Sequence, residues 1–366
     1  MMIKQPERFL RPNKIILIIS LLYISLALFF VFVLDHNFMV SDVSSYWQAS
    51  IQWRTPFREH PPFYAFTIAF FRLISLNLIP PVLLMMIINL ISLIGCVYCL
   101  IQISKNAGLN LKLSALIVFL FTLWPFVGLT YTVVPLADIP AIALTLGGIL
   151  LLQVKKPYLA AVLFGLAIVT HKGVWPIIGL IAISVYVRQK LVSKEKIIFT
   201  IITLAPVAAL WIMGAFYHGS LNWFMERSLR VNTTFGEGLM ILDGLFGTFR
   251  EGGFNNLLKG LIVLFLIGLA IIAFIYSLRK KDGKFKISTA ISLAVLLLFV
   301  FSSQDTIWGP VRFSRFLIVP FIFIIRDHFE GIFSLRATKL VVSSLIVVLL
   351  LTQFAYAWYI ARVFFG

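Results

Sequence analysis

Apolar runs long enough to cross a bilayer recur from residue 15 to the end of the chain. A spanning helix needs about 20 mostly apolar residues. The runs 15–34, 80–103, 112–130, 136–154, 197–217, 257–278, 287–303 and 338–361 meet or approach that length, and the shorter run 311–325 reads as a further helix. No stretch between them is large and polar enough to form a soluble domain with its own core. Composition agrees, with 61% of the 366 residues hydrophobic and 12% charged, where a soluble domain carries about 25% charged residues. The expected fold is all-α, a polytopic transmembrane helical bundle that takes residues 1–366 as one membrane domain.

The formal net charge is +17, but the basic residues do not form a nucleic-acid surface. They sit in short clusters between the apolar runs, as charges that set membrane topology do. Anionic headgroups and lipid phosphates are their natural partners. The first run follows Lys4, Arg8, Arg11 and Lys14 and ends in Leu34-Asp35-His36. It is longer than the apolar region of about 7–15 residues in a signal peptide, so it reads as a retained signal anchor with a cytoplasmic N-terminus. The host membrane is expected to be a bacterial or archaeal plasma membrane, or that of the endoplasmic reticulum.

Segment 157–187 is too long for one ordinary helix, and His171-Lys172-Gly173 and Pro176 interrupt it. Lys155 and Lys156 precede it, and Arg188, Lys190, Lys194 and Lys196 follow it. Both clusters belong inside, which requires two short helices with His171 and Lys172 at the outward turn. The total is then about eleven crossings. Segment 61–76, apolar and aromatic around Arg72, is expected to lie on the membrane as an interfacial helix. Two long outside loops result, about 35–79 and 218–256, and loops of that length are often functional.

Most acidic residues fall outside in this topology. Because Asp and Glu hardly influence topology, their bias points to function. In Ser41-Asp42-Val43-Ser44-Ser45-Tyr46-Trp47, a carboxylate just above the membrane beside aromatic residues suits a general base for an acceptor hydroxyl; an ordinary loop or capping Asp is the other reading. Arg58 and His60 lead into Pro61-Pro62, either to hold a phosphate or to anchor the chain at the interface. Asp138 stands at a helix start, where it caps free N–H groups or provides a second carboxylate to the same cavity. His171 and Lys172 form an ionisable pair within an apolar stretch, a functional candidate by default. Arg312 and Arg315 stand at the outer start of a late helix. Cations there oppose the helix dipole and so call for an anionic partner. Cys96 and Cys99 have C-x-x-C spacing, but no further Cys or nearby His completes a site. No metal or other cofactor is expected.

Four of these pieces, in order, resemble the GT-C superfamily of membrane glycosyltransferases. They are Asp42 to Trp47 beyond the first helix, His60-Pro61-Pro62-Phe63-Tyr64, Ala160 to Ala167 running into Thr170-His171-Lys172-Gly173, and Val311-Arg312-Phe313-Ser314-Arg315-Phe316. Members include the protein O-mannosyltransferases, the aminoarabinose transferases and the polyprenol-phosphate-mannose enzymes. The resemblance implies transfer of a hexose such as mannose or glucose from a polyprenyl-phosphate carrier, outside the cytoplasm, to a hydroxyl of a glycan, lipid or protein. It also implies Asp42 as base, with His171, Lys172, Arg312 and Arg315 near the donor phosphate. Three other functions stand beside it, one of them a non-catalytic assembly subunit or polymerase partner, in which Asn would replace Asp42 without loss. A flippase or transporter of lipid-linked glycans would show charge on both faces and usually a repeat. An enzyme like the O-antigen ligases would use a lipid-pyrophosphate donor and the late loop with Arg227, Arg230 and Arg250.

Overall fold

The computed structural model describes residues 12–33, 41–51, 61–124, 128–188, 193–220, 243–250, 254–280, 283–302, 308–329 and 336–364. Helices account for nearly all of them, and no strand occurs among the described residues. In chain order the helices are α1 (Pro12–Leu28), α2 (Ser41–Ile51), α3 (Phe63–Ile74), α4 (Pro81–Asn106), α5 (Leu111–Thr122), α6 (Leu129–Val133), α7 (Asp138–Gln153), α8 (Pro157–Ile168), α9 (Trp175–Arg188) and α10 (Ser193–His218). They continue with α11 (Asp243–Arg250), α12 (Phe254–Arg279), α13 (Gly283–Val300), α14 (Trp308–Phe313), α15 (Ile318–Phe329) and α16 (Arg336–Phe364). A π-helical turn, Phe29–Val33, extends α1, and short 3-10 turns at Lys172–Val174 and Ser314–Leu317 precede α9 and α15.

Local sequence accounts for several of the helix starts. Pro81 and Pro157 occupy first-turn positions of α4 and α8, where proline's missing N–H costs nothing and its φ suits a helix. Asn110 caps α5, its side chain accepting the Leu113 N–H at 3.0 Å. α7 packs against α4 and α8, α8 against α10, and α13 against α9 and α12. α10 shows the inverted surface of a membrane helix, with Ile197, Ile201, Ile212, Met213 and Phe216 exposed. Among the described residues four helical stretches, Pro12–Phe32, Pro81–Asn106, Lys194–Phe216 and Asn256–Arg279, are long and apolar enough to cross a membrane. The protein is an integral membrane protein, with shorter apolar helices completing the bundle.

Three departures from the sequence expectation affect the site. The run 112–130 is not one helix. α5 stops at Thr122, and only the short α6 follows before α7. Pro125 comes next after Trp124 in the sequence, and a residue before proline is driven out of helical conformation. The first outside loop also contains α2, a helix packed on α3, where only the segment 61–76 was expected to be helical. Finally, not all of the expected crossings are full-length, since many of the apolar helices have 10–17 residues. Segment 157–187 does break as expected, into α8 and α9 around His171.

The two ends of α7 differ in chemistry. At its C-terminal end Asn106 bonds to Gln153. At the ends of α12 and α15, Asp327 binds Lys280 at 2.8 Å and the Arg326 Nε at 2.6 Å, and accepts the Tyr276 hydroxyl. Arg326 also reaches the Ala107 carbonyl after α4, which ties this cluster to the same end as Asn106. The N-terminal end of α7 carries the candidate site.

Candidate active site

Each charged group of the site stands at an interruption of the helical bundle. Asp138 opens α7 and is 4% exposed. The Arg312 Nη1 donates to Asp138 Oδ2 at 3.0 Å. From the turn between α8 and α9, His171 Nε2 comes within 3.7 Å of Asp138 Oδ1. Its other ring nitrogen, Nδ1, accepts the Gly173 N–H at 2.9 Å. A neutral imidazole accepting at Nδ1 carries its proton on Nε2, so the N–H side of the ring faces the carboxylate.

Phe313, next to Arg312, packs its ring on His171, with centroids 5.0 Å apart. It can do so because residue 173 has no side chain. A Cβ at Gly173 would lie 2.6 Å from Phe313 Cδ2 and 2.7 Å from Cζ, and closer still to Cε2. Lys172, half-buried, begins the same turn.

Arg315 lies beneath this layer, 2% exposed. Its Nη2 donates to the Gly128 carbonyl and its Nη1 to Thr132 Oγ1 at 3.1 Å, with the guanidinium 5.8 Å from the Phe121 ring centre. Trp124 Nε1 donates to Ser314 Oγ at 2.9 Å. Two further helices hold the same stretch of chain between α5 and α7. Asn89 of α4 donates to the carbonyls of Thr132 at 3.2 Å and Val134 at 3.1 Å. Gln353 of α16 accepts the Thr130 N–H at 3.2 Å. Backbone groups at helix ends and between helices must find partners within the protein at membrane depth, and a buried carbonyl left without one costs about 1–3 kcal/mol. These three side chains therefore define the path of the chain into Asp138.

The expected site residues are distributed unequally. Asp138, His171 and Arg312 meet in one cluster, Arg315 underlies it, and Lys172 adjoins it. Asp42 lies in the first turn of α2, and its side chain lies outside the described residues. α2 connects to the cluster through Tyr46, whose ring meets Tyr64 edge-on at 5.0 Å, and through the Tyr64 hydroxyl, which donates to Asn89. Arg58 and His60 lie outside the described residues. Sequence reasoning passed over Asn89 and Gln353. The available signal was a lone polar residue inside an otherwise apolar spanning run, which in a membrane helix marks a structural or functional contact.

The electrostatics favour an anion. Among the described residues three cations gather here: Arg312 paired with Asp138, buried Arg315 beneath it, and Lys172 beside His171. Cations grouped in this way suit a phosphate, whose oxygens match guanidinium geometry. Among the described residues no group of three or more His, Cys, Asp or Glu residues is arranged to hold a metal ion.

The sequence model of glycosyltransferase family 87 matches residues 59–303. That stretch contains Asp138, His171 and Lys172, while Asp42, Arg312 and Arg315 lie outside it. No curated protein matches the chain. Among solved structures the chain is similar to the Archaeoglobus fulgidus oligosaccharyltransferase. Its apo form superposes with a TM-score of 0.56 at 11% identity, covering 97% of this chain and 56% of that one. The form tethered to an acceptor peptide containing the NVT sequon gives 0.51 at 11% identity, covering 96% and 54%. At that identity the likeness is one of fold, and the chain spans about half the length of the oligosaccharyltransferase.

Proposed function

The chain belongs to glycosyltransferase family 87, a family of GT-C type, and is a membrane glycosyltransferase; from that premise we propose that it moves a hexose from a polyprenyl-phosphate carrier to an acceptor hydroxyl on the non-cytoplasmic side. The observation that carries this reading is the meeting of Asp138, His171 and Arg312, from three separate parts of the chain, beside Lys172 and above Arg315. A cluster with more cations than carboxylates among its described side chains suits a lipid-linked phosphate. The basic residues at the far end of α7, Lys105, Lys155, Lys280 and Arg326, support a cytoplasmic location for that end and so an outside location for the cluster.

In the proposed reaction the acceptor hydroxyl gives its proton to Asp42 and its oxygen attacks C1 of the hexose. The bond from C1 to the phosphate oxygen breaks, and polyprenyl phosphate leaves with the electron pair. Arg312, His171 and Lys172 stabilise the charge developing on that phosphate, and Arg315 supports them from below. Preorganised charges of this kind usually provide the largest catalytic contribution. Arg58 and His60 belong to the same outside loop as Asp42 and are assigned to the donor's phosphate side. Asp138 is the second carboxylate of the site. No metal enters the scheme, because these cations meet the phosphate's charge.

The test is hexose transfer in membranes from radiolabelled polyprenyl-phosphate sugars, comparing wild type with Asp42→Asn at matched expression. Loss of a general base lowers turnover by about 10²–10⁴-fold. Unchanged turnover removes Asp42 from the mechanism, and a wild type inactive with every such donor refutes the donor class.

A further inference from the structure

We propose that Asp138 is a positioning residue that holds Arg312 until the donor binds and then yields it to the donor phosphate; this rests on the function proposed above. The two partners are unequally placed. The Asp138 side chain is 6% exposed and that of Arg312 is 20% exposed, so the cation is the partner that can reach an incoming ligand. Asp138 remains supported after Arg312 departs. It stands in the first turn of the 16-residue α7, where the helix dipole favours a carboxylate, and buried Arg315 supplies a second positive charge. His171 Nε2 stands 3.7 Å from Oδ1 and adds its N–H side to the surroundings of the carboxylate.

The backbone beneath Arg312 is steadied while its side chain exchanges partners. Phe313 is wedged on Gly173 and His171, and Ser314 is tied to Trp124. The pair is thus a competitor for the phosphate: every binding event must first break a 3.0 Å charge-assisted bond. What the site loses in donor affinity it gains in aim, since Arg312 waits within reach of the position the phosphate will take.

The consequence is a split between binding and turnover that a merely structural ion pair would not give. In purified full-length protein, Asp138→Asn should bind polyprenyl monophosphate more tightly, by about tenfold to a hundredfold, the worth of one charge-assisted hydrogen bond. The same variant should turn over a polyprenyl-phosphate hexose at least about tenfold more slowly, because Arg312 is no longer aimed. Asp138→Glu should restore part of both. On an Arg312→Gln background Asp138→Asn should no longer tighten binding, since the residue acts through Arg312.

Binding by Asp138→Asn that is unchanged or weaker, in a preparation whose wild type binds the lipid phosphate and transfers hexose, overturns the inference and leaves the proposed function standing. A wild type that neither binds the lipid phosphate nor transfers the sugar overturns both. Should Asp138→Asn fail to fold, Asp138→Glu, which keeps the negative charge at the start of α7 but displaces it, carries the test: lowered turnover at lipid-phosphate affinity equal to or above that of the wild type upholds the inference, and lowered affinity with unchanged turnover overturns it.

Discussion

Replacing Gly173 by alanine adds one methyl group at the closest packing point of the site. That methyl would lie 2.6–2.7 Å from two carbons of the Phe313 ring and nearer to a third, well inside the carbon–carbon contact distance of about 3.5–4.0 Å. The ring cannot retreat without consequence. It is 1% exposed, stacks on Phe316 at 6.5 Å and faces His171 at 5.0 Å. Overpacking of this kind costs about 1–3 kcal/mol. The larger effect is on geometry: moving Phe313 moves Arg312, its chain neighbour, and so the 3.0 Å bond to Asp138. The Gly173 N–H bond that orients His171 shifts with it. A displacement of about 1 Å in a positioned group costs about 100-fold in rate. Gly173→Ala is therefore expected to remain folded, with a reduced thermal midpoint, and to lose about 100-fold in kcat/KM for glycosyl transfer. Phe313→Leu in the same protein, which removes ring atoms from the clash, should recover part of that loss. Wild-type activity and stability in Gly173→Ala would refute the packing argument.

Two further expectations follow from the same contacts. Arg315→Gln loses the guanidinium bonds to the Gly128 carbonyl and Thr132, each worth about 1.5–3 kcal/mol; thermal unfolding in detergent should show a destabilised protein, and Arg315→Lys should rescue it poorly because an ammonium lacks the forked geometry. A metal-free mechanism predicts that hexose transfer by the purified enzyme survives EDTA, and activity abolished by EDTA and restored by a divalent cation would overturn that part of the scheme.

Much of the architecture is legible locally. Pro81, Asn110 and Pro157 mark helix starts, and α8 and α9 part where His171-Lys172-Gly173 interrupts an apolar run. α2 escaped notice because Ser41–Ile51 is short and polar, so hydropathy registers it as loop. The early end of α5 escaped notice because the residues after Thr122 are as apolar as those before it. Only the conformational effect of Pro125 separates them, and hydropathy does not register that.

Hydropathy and local residue preferences settle that this protein lives in a membrane, where most of its long apolar helices run, that the chain breaks at His171-Lys172-Gly173, and where its charges cluster. These follow from transfer free energies and backbone preferences that act within one or two turns. Packing between helices brings Asp138 to Arg312 across 174 residues of chain, turns Arg315 into the wall beneath them, and has Asn89 and Gln353 secure α6 and its exit toward α7. A charge in a membrane protein must find a partner, but hydropathy and helix propensity leave the choice of partner open. Packing makes that choice, through which helices come together and which small residue, here Gly173, lets an aromatic ring close over the site.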